Sequence, residues 1–555
     1  MGNLWDRLRR YPALLLLVIV YLISCAVVFS NYVRGRGAEG ETRKTVLRLA
    51  HWQLEPGIRS AVDWLIDEYQ KQHPDVEIKQ ILIPEEGYFR YVNTQLIGRT
   101  APDMIECGLG GSLELWRKFY ARYFMPLDQY VDEPNPYNKG TELEDTPWRQ
   151  TYFDDMEGGY EETLQTYFRV PLSAFTLRLY YNKDMVSEVW DEQERGTPFP
   201  ETYEGFIELC ELLKEEHGET FVPISGSKYS FDRIINVYQT ALTAGYLDRL
   251  DVDYDGTVSR MESAGPLYSG RLSMRDEGAI RANFELLREI SAYSPPGATA
   301  MDRDEADFLF LQEQAAMMPT GSWDYQSLME RSEGEFTLGV ADMPLPSKDH
   351  PKYGPYVAGP PTEADTQGAF PFAITKTSPN RDVALDFLQF ASSLKYNEAL
   401  NERMFWLPVI VGAKPREELE PFTPRIEGYA ETLEYEAPGT AMSYEQILPA
   451  YLSGKLTYEE FAERYMGRYR RELPDQGVPD HVRDLNQTLD SQMRFGTIRR
   501  AAISGALGAD AILTGDPAAQ QVRILEAFVG QRALRDHEVR VWVENARNYQ
   551  QQQEQ

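Results

Sequence analysis

An α/β architecture with more than one domain is what this sequence predicts, and three observations predict it. The chain has 555 residues, more than a single hydrophobic core serves. From Thr45 onward, short apolar stretches of strand character alternate with segments of helical period. The connections between them are short, and strand–helix–strand units joined this way build a parallel, doubly wound sheet.

Composition narrows the partners before any element is placed. Hydrophobic residues make up 42% and charged residues 26% of the chain, which is the balance of a globular protein with a packed core. The formal charge of −31 would repel phosphate backbones, so no nucleic acid is expected as a partner. A charge of that sign suits a soluble surface or an uncharged ligand.

The first element is a targeting segment. Arg7, Arg9 and Arg10 precede an apolar run from Ala13 to Phe29, which reads as an export signal with two outcomes. Leu22-Ile23-Ser24-Cys25 fits a bacterial lipobox, making Cys25 a lipidation candidate and the new N-terminus. Ala26 to Phe29 extend the run to about the minimum needed to cross a bilayer, which fits an uncleaved anchor. Arg34, Arg36, Arg43 and Lys44 on the far side leave the orientation open. Either outcome tethers the protein to a membrane with its bulk outside the cytoplasm. Residues 1–44 are therefore signal or anchor plus linker. Cys107 and Cys210, the two other cysteines, fall in an apolar strand and on an amphipathic helix, as core thiols rather than a disulfide framework.

The folded part opens with Thr45–Trp52, a strand. Pro56 starts a helix carrying Ile58, Val62, Leu65, Ile66 and Tyr69, which stops before His73-Pro74. VEIKQILIP, then YFRYVNTQLIGR, then APDMIECG continue as strand, helix, strand, and SLELWRKFYARYFMPLDQYV contains the third helix. Further on, FLFLQEQAAMMPTGSWD (Phe308–Asp324) reads as helix, polar corner and apolar strand. After it the chain turns at Thr320-Gly321-Ser322, and Ser322 is placed to cap a helix starting at Trp323. That puts a large aromatic just past the carboxyl end of a strand, where open α/β sheets hold small ligands. A core role for Trp323 is the competing reading.

At this point a resemblance enters. TVLRLAHW, HPDVEIKQ, APDMIECG and FMPLDQYV resemble the opening domain of extracellular solute-binding proteins of sugar ABC transporters. RVPLSAFTLRLYYNKDMV resembles the segment in which that family's chain crosses to its second lobe, and PFPETYEGFIELCELLKE the helix start that follows. QAAMMPTGSWDY is similar to the family's Gly-Ser-Trp element; FTLGVADMPLP, GAFPFAITKTSPNRDVALDFLQFAS and FWLPVIVGA are similar to later signatures. The resemblance runs from about Thr45 to about Leu473.

It implies a two-lobed periplasmic-binding-protein fold over residues 45–473, with the chain crossing between lobes near 170–182 and again near 320–375. An N-terminal membrane-anchor segment and a C-terminal helical extension flank it. It implies reversible capture of a carbohydrate for the permease subunits of an ABC transporter, and no catalysis. A sugar needs flat aromatic rings for its C–H faces and fixed partners for its hydroxyls. Trp52, Gln53 and Glu55 after the first strand, Glu106 at the end of the third, Trp323 and Asp324, Gly368 and Phe370, and Trp406 are the residues of these types at strand ends. With nine tryptophans and 12% aromatics in the chain, any one of them has a core role as its alternative.

Asp251, Asp253, Asp255, Gly256 and Glu262 stand at calcium-loop spacing with Val258 at the apolar position. Gly265-Pro266 is expected to forbid an exit helix, so a solvated acidic turn without metal is the reading here, with calcium as its alternative. No phosphate loop, HExxH, GxSxG or Cys/His metal spacing occurs, and no cofactor is expected. Glu55 and Glu106 as a glycosidase pair have nothing to place them either side of a bond. Residues 474–555 look helical, broken at Thr514-Gly515-Asp516-Pro517 and ending in QQQEQ. They fit either a hairpin packed on the second lobe or a docking arm. The rival to sugar capture is accordingly a membrane-tethered sensor or scaffold that binds a partner through these helices.

Overall fold

The computed structural model describes residues 44–473, apart from residues 55, 112, 162–163, 165, 247–249, 251–257, 259, 364–367, 426, 430–431 and 437–439. Cys25 with its apolar run, the C-terminal extension, Glu55 and most of the acidic loop lie outside the described residues. No helix among the described residues is long and apolar enough to cross a membrane.

In chain order the strands are β1 (Thr45–His51), β2 (Val76–Leu82), β3 (Met104–Glu106), the short β4 (Tyr160–Glu161) and β5 (Thr166–Tyr167), β6 (Val170–Ser173), β7 (Leu177–Asn182), β8 (Met317–Gly321), β9 (Leu338–Ala341) and β10 (Ala369–Ile374). The first lobe is built on a five-stranded sheet of order β2-β1-β3-β10-β6, the second on a three-stranded sheet of order β8-β7-β9. β1 runs parallel to β2, from Thr45↔Val76 to His51↔Leu82, and parallel to β3 at Leu49↔Met104. The helix Pro56–Gln72 links β1 to β2 and buries Ile58, Ala61, Val62, Leu65, Ile66 and Tyr69. Those spacings make one stripe, as a helix packed on a sheet requires.

The expectation of parallel strands holds only for these first three. β10 is antiparallel to both β3 and β6, and β7 is antiparallel to both β8 and β9. A helical crossover enforces parallel pairing between strands that it joins within one sheet. β10 instead reaches the first sheet from the second lobe, so it enters from the opposite end.

β7 shows how the second sheet organises two cores. Leu179 and Tyr181 project into a helical core that includes Phe206, Tyr238, Phe284, Tyr451 and Phe461. Tyr180, one residue out of phase, points the other way, towards Phe310, Met318 and Leu328. This is the period-two alternation of a strand covered on both faces. The last described helix, Tyr458–Glu472, opens with a capping box between Thr457 and Glu460 and adds its stripe to the same helical core.

One further expectation is corrected. Gly265-Pro266 does not stop a helix: Arg260–Ser269 is helical with Pro266 inside it. Proline removes one N–H from the ladder, while burial of Ala264, Leu267 and Tyr268 holds the turn. Both cysteines are buried and free, as expected. Cys107 packs among Tyr88, Trp116 and Phe124 of the first lobe, and Cys210 in the helical core of the second.

Candidate functional site

The carboxyl ends of β1 and β3 bring Trp52, Gln53 and Glu106 together. Glu106 is fully buried at the end of β3. Its Oε2 accepts the backbone N–H of Trp52 at 3.2 Å, and its Oε1 accepts the Gln53 side-chain amide at 2.8 Å. A carboxylate taken out of water must be hydrogen-bonded in this way. Beneath it the Tyr88 hydroxyl donates to the carbonyls of Glu106 at 2.7 Å and Ala50 at 3.1 Å, and burial pushes that phenol far above its ordinary pKa. The Tyr88 ring meets the Trp52 indole edge-on at 4.9 Å, leaving Trp52 half-buried.

His51 completes this end. It is fully buried, its Nε2 shares a hydrogen bond of 2.8 Å with Gln80 Oε1, and burial lowers its pKa below the ordinary 6.5.

In the second lobe, β8 ends at Gly321 and a 3-10 turn, Ser322–Asp324, leads into the helix Tyr325–Ser332. Ser322 does not cap that helix, which begins two residues later than expected. Its Oγ accepts the Thr176 backbone N–H at 3.3 Å, tying the turn to the crossing segment. Trp323 is half-buried and packs edge-on against Phe175 at 5.0 Å. The indole folds back over Gly321 so closely that a Cβ there would stand 2.1 Å from the ring. Only glycine allows that approach.

Asp324 is 3% exposed. Its carboxylate pairs with the Arg303 guanidinium and accepts the Thr320 hydroxyl at 2.5 Å. With these partners it fixes the turn that presents Trp323.

Two other expected contacts lie in the core. Phe370 is 3% and Trp406 9% exposed. Phe370 takes a φ of 50°, a left-handed conformation uncommon for a bulky residue. Its ring packs edge-on against Phe372 at 4.7 Å, Trp406 at 5.7 Å and His51 at 5.8 Å. Gly368, half-buried, faces the Gly158 carbonyl.

The helices that follow the two tryptophans approach each other. A Cβ on Gly57, in the helix that follows Trp52, would lie 3.4 Å from the Gln326 side chain, in the helix that follows Trp323. The starts of these two helices thus lie side by side. Tyr88 and Phe175 pack on the two indoles and Arg303 holds the turn that carries Trp323; nothing local in the sequence marks these three, whereas position at a strand end marks His51.

A separate cavity of about 460 Å³ lies on the second lobe, lined by Arg281, Glu285, Glu289, Lys352 and Tyr458 among others. Its charges pair with one another: Lys352 with Glu289 at 2.6 Å and Glu285 at 3.2 Å, and Arg281 with Glu285 at 2.7 Å. Among the described residues no group of three or more His, Cys, Asp or Glu could hold a metal ion.

Comparison with known proteins bears on the family and the fold. Residues 55–398 match the family described as bacterial extracellular solute-binding protein. An uncharacterized ABC transporter extracellular-binding protein of Pyrococcus horikoshii is 22% identical over 331 residues, 57% of this chain and 65% of the relative. The match therefore spans just under two thirds of that relative's length. A chitin oligosaccharide binding protein superposes with a TM-score of 0.53 at 16% identity, over 77% of this chain and 99% of its own. The GacH receptor of Streptomyces glaucescens, solved unliganded and with acarbose, gives 0.53 at 18% identity, over 78% and 99%. The sugar-binding protein MalE of Xanthomonas citri gives 0.52 at 15% identity, over 78% and 98%. At such identities these structures establish the shared two-lobed fold.

Proposed function

The chain belongs to the bacterial extracellular solute-binding proteins, a family that binds rather than transforms its solutes, and from that premise we propose that it captures a carbohydrate for an ABC transporter. The sugar or oligosaccharide is held between the lobes and released to the permease subunits. The observation that carries this reading is the approach of Gly57 to Gln326, in the helices that follow the half-buried Trp52 and Trp323. Flat rings from both sides suit the C–H faces of a pyranose, with Gln53 and backbone groups at the strand ends for its hydroxyls. Contacts made by both lobes at once favour the closed arrangement, so ligand shifts an open–closed equilibrium. The sugar-binding relatives of the same fold support the choice of ligand class. The apolar run from Ala13 to Phe29, through a lipidated Cys25 or as an uncleaved span, tethers the protein to the membrane on its outer side.

A thermal-shift screen over mono- and oligosaccharides tests the reading. A ligand at about 100 times its Kd stabilises the folded state by roughly 2.7 kcal/mol, and the expected hit is recovered uncleaved. Trp52→Ala and Trp323→Ala should each weaken it by at least about tenfold. A screen without a hit, or a hit that both variants bind unchanged, overturns it.

A further inference from the structure

Among the described residues, three segments join the lobes. The first lies between β6 and β7. The second runs from the end of β9 to the start of β10. The third leads from Leu407, whose carbonyl accepts the Ala174 N–H at 2.8 Å, to Leu433 and Tyr435 in the helical core. The second and third are bonded to each other: Glu363 N–H to the Arg425 carbonyl at 2.7 Å, Thr362 N–H to the Tyr429 carbonyl at 3.0 Å, and Tyr429 N–H to the Pro360 carbonyl at 3.0 Å.

Arg178, the second residue of β7 and 5% exposed, ties the first segment to both others. A guanidinium has five N–H donors in a fixed fork, and every one is used. Nε donates to the Pro421 carbonyl at 2.9 Å. Nη1 donates to the Leu177 carbonyl at 2.7 Å and to Glu363 Oε1 at 2.6 Å. Nη2 donates to Glu363 Oε2 at 3.2 Å and to the Thr423 carbonyl at 2.9 Å. Asp342, just past β9, bridges Arg178 at 3.1 Å and Arg425 at 2.7 Å. Two cations and two carboxylates balance, and Glu363 Oε2 also accepts the Arg425 backbone N–H at 2.7 Å.

We propose that Arg178 is the positioning residue of lobe closure, clamping all three crossing segments at the second-lobe end so that they bend together. Hinge closure requires dihedral changes in every connecting segment at once. A fork that fixes their common origin confines those changes to the first-lobe side and makes the movement one rotation. Lysine has the charge but not the fork, and could meet only part of this set of acceptors. The inference rests on the two-lobed fold and needs no particular cargo.

The test uses the full-length protein without ligand. Arg178→Lys, Arg178→Met and Glu363→Gln are compared with wild type by amide hydrogen exchange and by the spread of inter-lobe distances from single-molecule energy transfer. Exchange at Glu363, Arg425 and Tyr429 should accelerate by about tenfold or more and the distance distribution should broaden. Amides of Leu179 and Tyr180 in β7 should keep wild-type protection. Glu363→Gln, which keeps the shape of the acceptor, should give the same pattern at smaller amplitude and serves if the arginine variants do not fold. Unchanged distance distributions, or protection lost evenly across the second lobe, would overturn the proposal.

Discussion

Each lobe sets a tryptophan beside a buried carboxylate, and the two carboxylates are held differently. Glu106 is gripped by amides, the N–H of Trp52 itself and the side chain of Gln53. Asp324 is gripped by a guanidinium and a hydroxyl, those of Arg303 and Thr320. Amides stabilise a carboxylate through aligned dipoles and leave its charge in place, whereas a guanidinium cancels it. Both acids therefore serve as props for an indole, but the first lobe's prop depends on local backbone order and the second's on a cation from a helix 21 residues upstream in sequence.

The largest effect expected from this contrast is at Arg303. Arg303→Met leaves Asp324 buried without its cation and should destabilise the protein by about 2–3 kcal/mol, the cost of an unsatisfied charged group. Urea unfolding measures it, and adding Asp324→Asn should recover at least half. A wild-type midpoint for the single variant would mean that the pair supports nothing.

Acid should sharpen the same comparison from the other side. His51, beneath the Trp52 loop, has a pKa lowered by burial from its ordinary 6.5. Below pH 6.5 the unfolded chain takes up a proton that the folded one refuses, so stability is lost as pH falls through the unfolded pKa towards the folded one. The profile of His51→Gln should be flatter in that window. If wild type and variant lose stability in parallel, the histidine is not the sensor. The smallest effect is at Gln53: removal of its amide by Gln53→Ala should cost about 1 kcal/mol, read from the melting temperature, because the Trp52 N–H still satisfies the other oxygen.

Much of the fold could be read before the structure. The stripe Ile58–Tyr69 and the alternation in β1 report on local periods, and their ends agree with the structure to within a residue or two. The ordered series of family-like motifs carried the two-lobed architecture, which no single stretch could. What escaped depends on partners distant in sequence. Nothing in Gly368-Ala369-Phe370 announces a left-handed φ that turns the ring inward, and nothing near Asp324 announces Arg303. A residue type at a strand end says what a side chain could bind, while its rotamer and neighbours decide whether it faces solvent or core. The same holds for Arg178, which in sequence is one arginine in an apolar strand.

The two buried thiols have a use that follows from where they sit. Cys107 lies in the first lobe and Cys210 in the second, and burial raises both pKa values, that of Cys107 to about 12. Thiolate is the reactive species, so each sulfur is chemically silent until its own lobe opens. A thiol-trapping reagent in mild denaturant, with the adduct located by peptide mass, would therefore act as two clocks in one chain and time the unfolding of each lobe separately.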